Sequence, residues 1–193
     1  DVFSPRAKRQ TSLVGTRTSF WSRLKHRLLE PFRKDFFKQK RRWRLLQVEP
    51  TLKCNLRCIM CPWVEFRQEL GQEAIMGAEV WEAIQPHLHE IESIDFTGGG
   101  EGLLQPHLAD CIKEAKHAGC VTGFLSNCLL LTEDKLRTFL EAGVDWIGAS
   151  VDGADKETYE SIRLGSDFDR VCSNISRIAA LRKGKRPFTL LQF

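Results

Sequence analysis

The chain has 193 residues, 42% hydrophobic and 28% charged, with a formal net charge of +4. That length allows one domain with a substantial core, and the composition is that of an ordinary soluble globular protein. No apolar run approaches the roughly 18 residues of a membrane span, and no apolar stretch follows the basic N-terminus as a secretory signal requires.

The charge is unevenly placed. Residues 1–44 carry a net +11 and residues 45–193 a net −7, so a basic arm joins a mildly acidic domain. Seven cysteines are an odd count, three of them clustered and four scattered. That is a poor disulfide framework and points to a reducing compartment, hence a cytoplasmic protein. Residue 1 is Asp, and Phe188 to Phe193 read as an apolar strand with nothing after it, so the chain reads as a fragment.

In chain order, residues 1–18 are Ser, Thr, Arg and Lys with few large apolar residues, a disordered basic tail. Residues 19–44 place Phe20, Trp21, Leu24, Leu28, Phe32 and Phe36 at near-helical spacing among Arg and Lys, with Pro31 as a kink. This basic amphipathic helical arm has three competing readings: packing on the core, contact with a membrane surface, or contact with nucleic acid, for which no recognition motif is present.

Leu45 to Val48 then reads as a strand, residues 77–88 as a helix, and Ile91 to Phe96 as a strand ending in Thr97-Gly98-Gly99-Gly100-Glu101. Pro106 to His117 reads as a helix, and Val121 to Leu125 as a strand ending in Ser126-Asn127-Cys128. Thr132 caps a helix that Gly143 stops, with Glu133 and Asp134 in its first turn. Val144 to Ala149 is a strand ending in Ser150-Val151-Asp152-Gly153, helices cover about 155–163 and 168–183, and a final strand starts near Pro187. Alternation of strand and helix argues for parallel strands with helical crossovers. In barrels of that kind, chemistry collects at the C-terminal strand ends, and here the first four strands each end in a polar or glycine-rich cluster.

Cys54, Cys58 and Cys61 follow the first strand. Positions i, i+4 and i+7 share a helical face, so a buried stripe is one reading; Pro62 directly after, and a strand directly before, oppose it. Zinc needs a fourth ligand, and the nearest histidines, His26 and His87, are distant in sequence. An iron-sulfur cubane accounts for the count, because three thiolates leave one of its irons open to a small molecule.

The CxxxCxxC pattern, in the context Glu49-Pro50-Thr51-Leu52-Lys53-Cys54-Asn55-Leu56-Arg57-Cys58, resembles the radical S-adenosylmethionine (radical SAM) superfamily over about residues 45–193. The resemblance implies a partial (β/α)6 TIM-like barrel, truncated after about strand five, with a [4Fe-4S] cluster on Cys54, Cys58 and Cys61. It further implies S-adenosylmethionine (SAM) on the fourth iron, cleaved reductively to a 5′-deoxyadenosyl radical that abstracts hydrogen from a substrate. By the same resemblance, Gly98, Gly99 and Gly100 admit the methionine moiety, and Glu101 pairs with its ammonium group. Asn127, Ser150, Asp152 and Arg163 complete the cofactor site, with Arg163 suited to the carboxylate. Three departures stand out: Met60 where many members have an aromatic residue, Gly102 where a proline is usual, and Cys128 where a glycine is usual. If the Cys128 position needs a positive φ, cysteine is strained there.

Bland readings stand beside these. The glycines suit a tight turn, Asn127 a polar cap, Asp152 a turn, and Arg163 a helix-end cation. His87 and His89 read as surface residues, and Cys111, Cys120 and Cys172 as buried small apolar residues. The segments Gly98 to Glu101 and Asp152 to Arg163 are most similar to members that carry a SPASM-type C-terminal extension, which often modify peptides or proteins. An electron donor such as flavodoxin or ferredoxin is implied. RNA and small molecules are alternative substrates, and a non-enzymatic metal-binding module or an inactive truncated core are alternative functions.

Overall fold

Five short segments, each with apolar residues at two or more positions, become the strands of the computed structural model, which describes residues 41–69 and 74–193. The tail and nearly all of the arm expected over residues 1–44 lie outside the described residues. The strands are β1 (Trp43–Gln47), β2 (Ile91–Asp95), β3 (Val121–Ser126), β4 (Trp146–Ser150) and β5 (Phe188–Gln192). They form one sheet in the order β1-β2-β3-β4-β5, every neighbouring pair parallel. Helices fill the crossovers: α1 (Trp63–Glu69), α2 (Ala78–Ile84), α3 (Leu108–His117), α4 (Glu133–Ala142), α5 (Lys156–Ile162) and α6 (Phe168–Leu181). A parallel sheet in strict chain order with helical crossovers is the architecture of a partial TIM-like barrel.

Local chemistry sets the helix ends. Thr132, Asp155 and Asp167 each accept a backbone N–H three residues on, from Lys135, Thr158 and Arg170. Gly143 closes α4 at φ +85°, where a side chain would be strained. The helix expected over 77–88 divides at Gln85, where a 3-10 turn containing Pro86 (Gln85–Glu90) replaces the α-helix. A proline there has no N–H to donate, which favours the tighter turn. The helix expected from Pro106 begins at Leu108, and the one expected to reach 183 ends at Leu181.

Two expectations are corrected. The first strand begins at Trp43, so the last residues assigned to the arm belong to the sheet. Arg41 beside it is not a free basic residue: its guanidinium donates to the carbonyls of Leu88, Ile91 and Ala118 at 3.0, 2.6 and 2.7 Å. Cys111 and Cys120 are buried as expected, but Cys172 is exposed. It sits one position past the buried Val171 on α6 and so faces outward.

The core lies between sheet and helices, centred on Ile94, Phe96, Ile112, Phe124, Leu136 and Ile147. Phe124 meets Phe139 of α4 at 4.9 Å between ring centroids. Each fully buried side chain of this size contributes about 2 kcal/mol relative to exposure.

At the N-terminal strand ends, Asp145 is 1% exposed yet charged. It accepts from Lys116 Nζ at 2.6 Å and from the Thr122 N–H at 2.8 Å, and it pairs with Arg186. Asp145→Ala leaves the buried Thr122 N–H without its acceptor and two partly exposed cations without their carboxylate, and is expected to lower the unfolding free energy by about 1–3 kcal/mol in urea titration. A cavity of about 370 Å³ opens here, lined by Lys116, Asp145, Arg186 and Pro187, on the face where barrels of this kind place stability rather than chemistry.

Candidate active site

The polar clusters at the C-terminal strand ends face a second cavity, of about 340 Å³. Cys54, Cys58 and Cys61 line one side of it. Gly98, Gly99, Gly100 and Glu101 follow β2, Ser126 and Asn127 end β3, and Ser150 ends β4; all of these line it too. Arg163 enters from the end of α5. Asp152 does not line it: its Oδ2 stands 2.6 Å from Arg163 Nη2, off the hydrogen-bond direction, so the contact is an ion pair. The fork expected to meet a carboxylate is therefore already engaged on one side.

The cysteine loop is fastened along its length. The Glu101 N–H donates to the Lys53 carbonyl at 2.7 Å. Asn127 Nδ2 donates to Asn55 Oδ1 at 2.9 Å. The N–H groups of Arg57 and Ile59 donate to the carbonyls of Leu164 and Ile162, each at 3.0 Å. The loop after β2, the end of β3 and the end of α5 thus each grip the loop after β1.

This packing explains the glycines. A Cβ on Gly100 would fall on the carbonyl oxygens of Thr51 and Lys53, which are backbone and cannot swing aside. The atoms nearest a Cβ on Gly98 are those of the Glu49 side chain, which can. Gly100→Ala is expected to cost about 2 kcal/mol in chemical unfolding, and Gly98→Ala less than about 1 kcal/mol.

Glu101 is buried, yet its carboxylate has no cation in ion-pair contact among the described residues. Ser126 Oγ and the Leu103 N–H donate to Oε1 at 2.8 and 3.2 Å, and the Asn127 N–H donates to Oε2 at 2.8 Å. Three of roughly four acceptor positions are filled. Burial pushes its carboxyl above the ordinary range, opposed by those three donors and, more weakly, by Lys135. A buried acid that lines a cavity and lacks a bonded cation suits a cationic ligand.

Cys128 adopts φ +58°, so the condition under which cysteine is strained there is met. Its N–H donates to Ser126 Oγ at 2.9 Å, and Asn174 Nδ2 donates to its carbonyl at 2.8 Å, which holds the turn. Burial, then the neighbouring Glu101, pushes its thiol up to about 12, so it is unsuited to act as a nucleophile. Burial also raises the Cys58 thiol, ahead of the lowering by Arg163.

The residues fit a cluster. Three half-buried thiols from one loop supply soft ligands beside a cavity sized for a small molecule. Among the described residues, no three His, Cys, Asp or Glu side chains converge as ligands of a single ion do. A cubane does not ask that of them, since each sulfur meets a different iron. Sequence reasoning missed Asn55, whose Nδ2 is buried without a hydrogen-bond partner, and Trp63, which opens α1 against the cavity. Pro62 directly before Trp63 was the available signal for a helix start.

Comparisons with known proteins bear on the fold and the family. A "Tungsten-containing aldehyde ferredoxin oxidoreductase cofactor-modifying protein" of Pyrococcus furiosus is 34% identical over 111 residues, 55% of this chain and 30% of the relative. An "AdoMet-dependent heme synthase" of Methanosarcina barkeri is 28% identical over 152 residues, 76% of this chain and 41% of the relative. The chain thus spans well under half the length of these curated relatives. The solved structure of Streptococcus suis SuiB bound to precursor peptide SuiA superposes with a TM-score of 0.57 at 14% identity, over 92% of this chain and 39% of that one. A family profile described as "Radical SAM superfamily" matches residues 48–189. With its cysteine loop, five-stranded parallel sheet and that match, the chain belongs to the radical SAM superfamily.

Proposed function

We propose that this chain is the cluster- and cofactor-binding core of a radical SAM enzyme. Members of the superfamily use a [4Fe-4S] cluster and SAM. The observation that carries the reading is one cavity lined both by Cys54, Cys58 and Cys61 and by the buried Glu101, which has no ion-pair partner among the described residues. When bound, the cluster would supply the electron for reductive cleavage of SAM to a 5′-deoxyadenosyl radical able to take hydrogen from a substrate.

The chain's own residues bind and orient. Cys54, Cys58 and Cys61 would hold three irons. Glu101 has one acceptor position left for the ammonium group of SAM, and Gly98, Gly99 and Gly100 keep that wall low enough for close approach. Asn127 braces the cysteine loop through Asn55, so its contribution is position. Ser150 and the Arg163 guanidinium are the groups facing the carboxylate, with Asp152 beside that guanidinium. An electron donor such as flavodoxin or ferredoxin, a reducing cytoplasm and a peptide or protein substrate complete the reading. The last rests on the form of the segments Gly98 to Glu101 and Asp152 to Arg163. Among the described residues no helix is long and apolar enough to cross a membrane.

The test is anaerobic reconstitution followed by EPR of the reduced protein, with and without SAM. A cluster signal that shifts on adding SAM supports the reading. A cluster indifferent to SAM favours a closed metal-binding module or an inactive core. Stoichiometric zinc with no cluster overturns it.

A further inference from the structure

The two backbone hydrogen bonds between the cysteine loop and the end of α5 have a specific register. Arg57 pairs with Leu164 and Ile59 with Ile162, so the residues between them, Cys58 and Arg163, stand opposite each other. Arg163 Nη1 lies 3.9 Å from Cys58 Sγ, within hydrogen-bond reach of sulfur. Its Nη2 is 2.6 Å from Asp152, and the two side chains are only 12% and 16% exposed. Arg163 is also anchored at its base, where its N–H donates to the Tyr159 carbonyl at 2.8 Å beneath a fully buried ring. The guanidinium is therefore held against one particular cysteine by backbone on both sides and by a carboxylate behind it.

We propose that Arg163 is a positioning residue acting through Cys58: its N–H donates to the Cys58 sulfur and raises the potential at which the cluster accepts an electron, while Asp152 limits that effect. The inference rests on the reading of Cys54, Cys58 and Cys61 as cluster ligands. One-electron reduction adds negative charge to irons and sulfurs together. A donor and a cation at a ligand sulfur stabilise the more negative state, and a carboxylate beside that cation opposes it. This role is separate from binding SAM, because it operates before any ligand enters.

The experiment is a potentiometric titration, followed by EPR, of the full chain reconstituted anaerobically and kept free of SAM. Arg163→Gln is expected to lower the equilibrium constant for cluster reduction about tenfold, about 59 mV for a one-electron couple. Asp152→Asn, which frees the guanidinium, is expected to shift the potential the opposite way. Arg163→Lys keeps the charge but not the fork, and should fall between the parent and Arg163→Gln. A fully loaded Arg163→Gln protein with the parent potential overturns the inference, even if its affinity for SAM falls. Arg163→Gln and Asp152→Asn shifting in the same direction also overturns it, since loss of packing alone would do that. Should Arg163→Gln fail to fold, Arg163→Lys and Asp152→Asn at the parent potential would be equally fatal. A parent chain that holds no cluster defeats this inference together with the ligand reading, whereas a loaded parent with insensitive variants defeats the inference alone.

Discussion

Cys58→Ser, reconstituted anaerobically beside the parent chain, is expected to lose most of its iron and more than about a hundredfold of SAM cleavage. Changes to the partners of metal ligands already cost roughly 10–100-fold, and loss of a ligand exceeds that. Cys58 is only half-buried, and the loop around it is fastened through backbone and through Asn55, none of which serine disturbs. Stability without iron should therefore change by less than about 1 kcal/mol. The matched control is Cys172→Ser, the same chemical change on the exposed face of α6, which should retain both iron and cleavage. Iron assay and 5′-deoxyadenosine quantification check both variants. Equal iron in the two would mean that the triplet is not the ligand set.

Glu101→Ala is expected to be the most damaging single change outside the cysteines. It strands the Ser126 hydroxyl and the N–H groups of Leu103 and Asn127 in a buried position, at about 3–5 kcal/mol in urea unfolding. It also releases the ends of β2 and β3 from one another, so cluster loading should fall with stability. Glu101→Gln keeps the shape but turns an acceptor into a donor, and should bind SAM about tenfold more weakly for want of the charge.

The same pair of proteins gives a pH test. Burial raises the Glu101 carboxyl above its ordinary 4.5, so the folded chain holds that proton longer than the unfolded chain does. Its contribution to stability is then fully present below 4.5 and declines as pH rises toward the folded value. The stability advantage of the parent over Glu101→Gln should narrow over that interval. An advantage that widens instead would mean that the three donors outweigh burial.

The first four strands were legible because each carries apolar residues and is closed by a polar or glycine-rich cluster, and β3 and β4 are largely buried, as central parallel strands are. Thr132 and Gly143 were legible because capping is local. The break at Gln85 was harder, since the residues on both sides are compatible with a helix and only Pro86 argued against it. Asp152 shows the limit for the site. Its neighbours in sequence indicate a turn, and its partner Arg163 reaches it only because α5 brings the chain back over the cavity. Asn55 was invisible for the same reason: its partner lies 72 residues away. Cys128 went the other way, since the resemblance marked a position that wants glycine, and the structure has a positive φ there.

The fastening of the cysteine loop also bears on the order of events during synthesis. All three thiols have left the ribosome once Cys61 emerges, yet the groups that shape their loop arrive later: Glu101, then Asn127, which is 72 residues beyond Asn55, and finally Arg163, which is 105 beyond Cys58. Contacts this distant in sequence form late, because the intervening chain must be ordered before they can repay its entropy. The nascent thiols are thus chemically available long before they are geometrically arranged. On the proposed reading of these thiols as cluster ligands, iron delivered at that stage would meet them unarranged along eight residues, whereas a chain extended through Leu164 has the hydrogen bonds that fasten the loop.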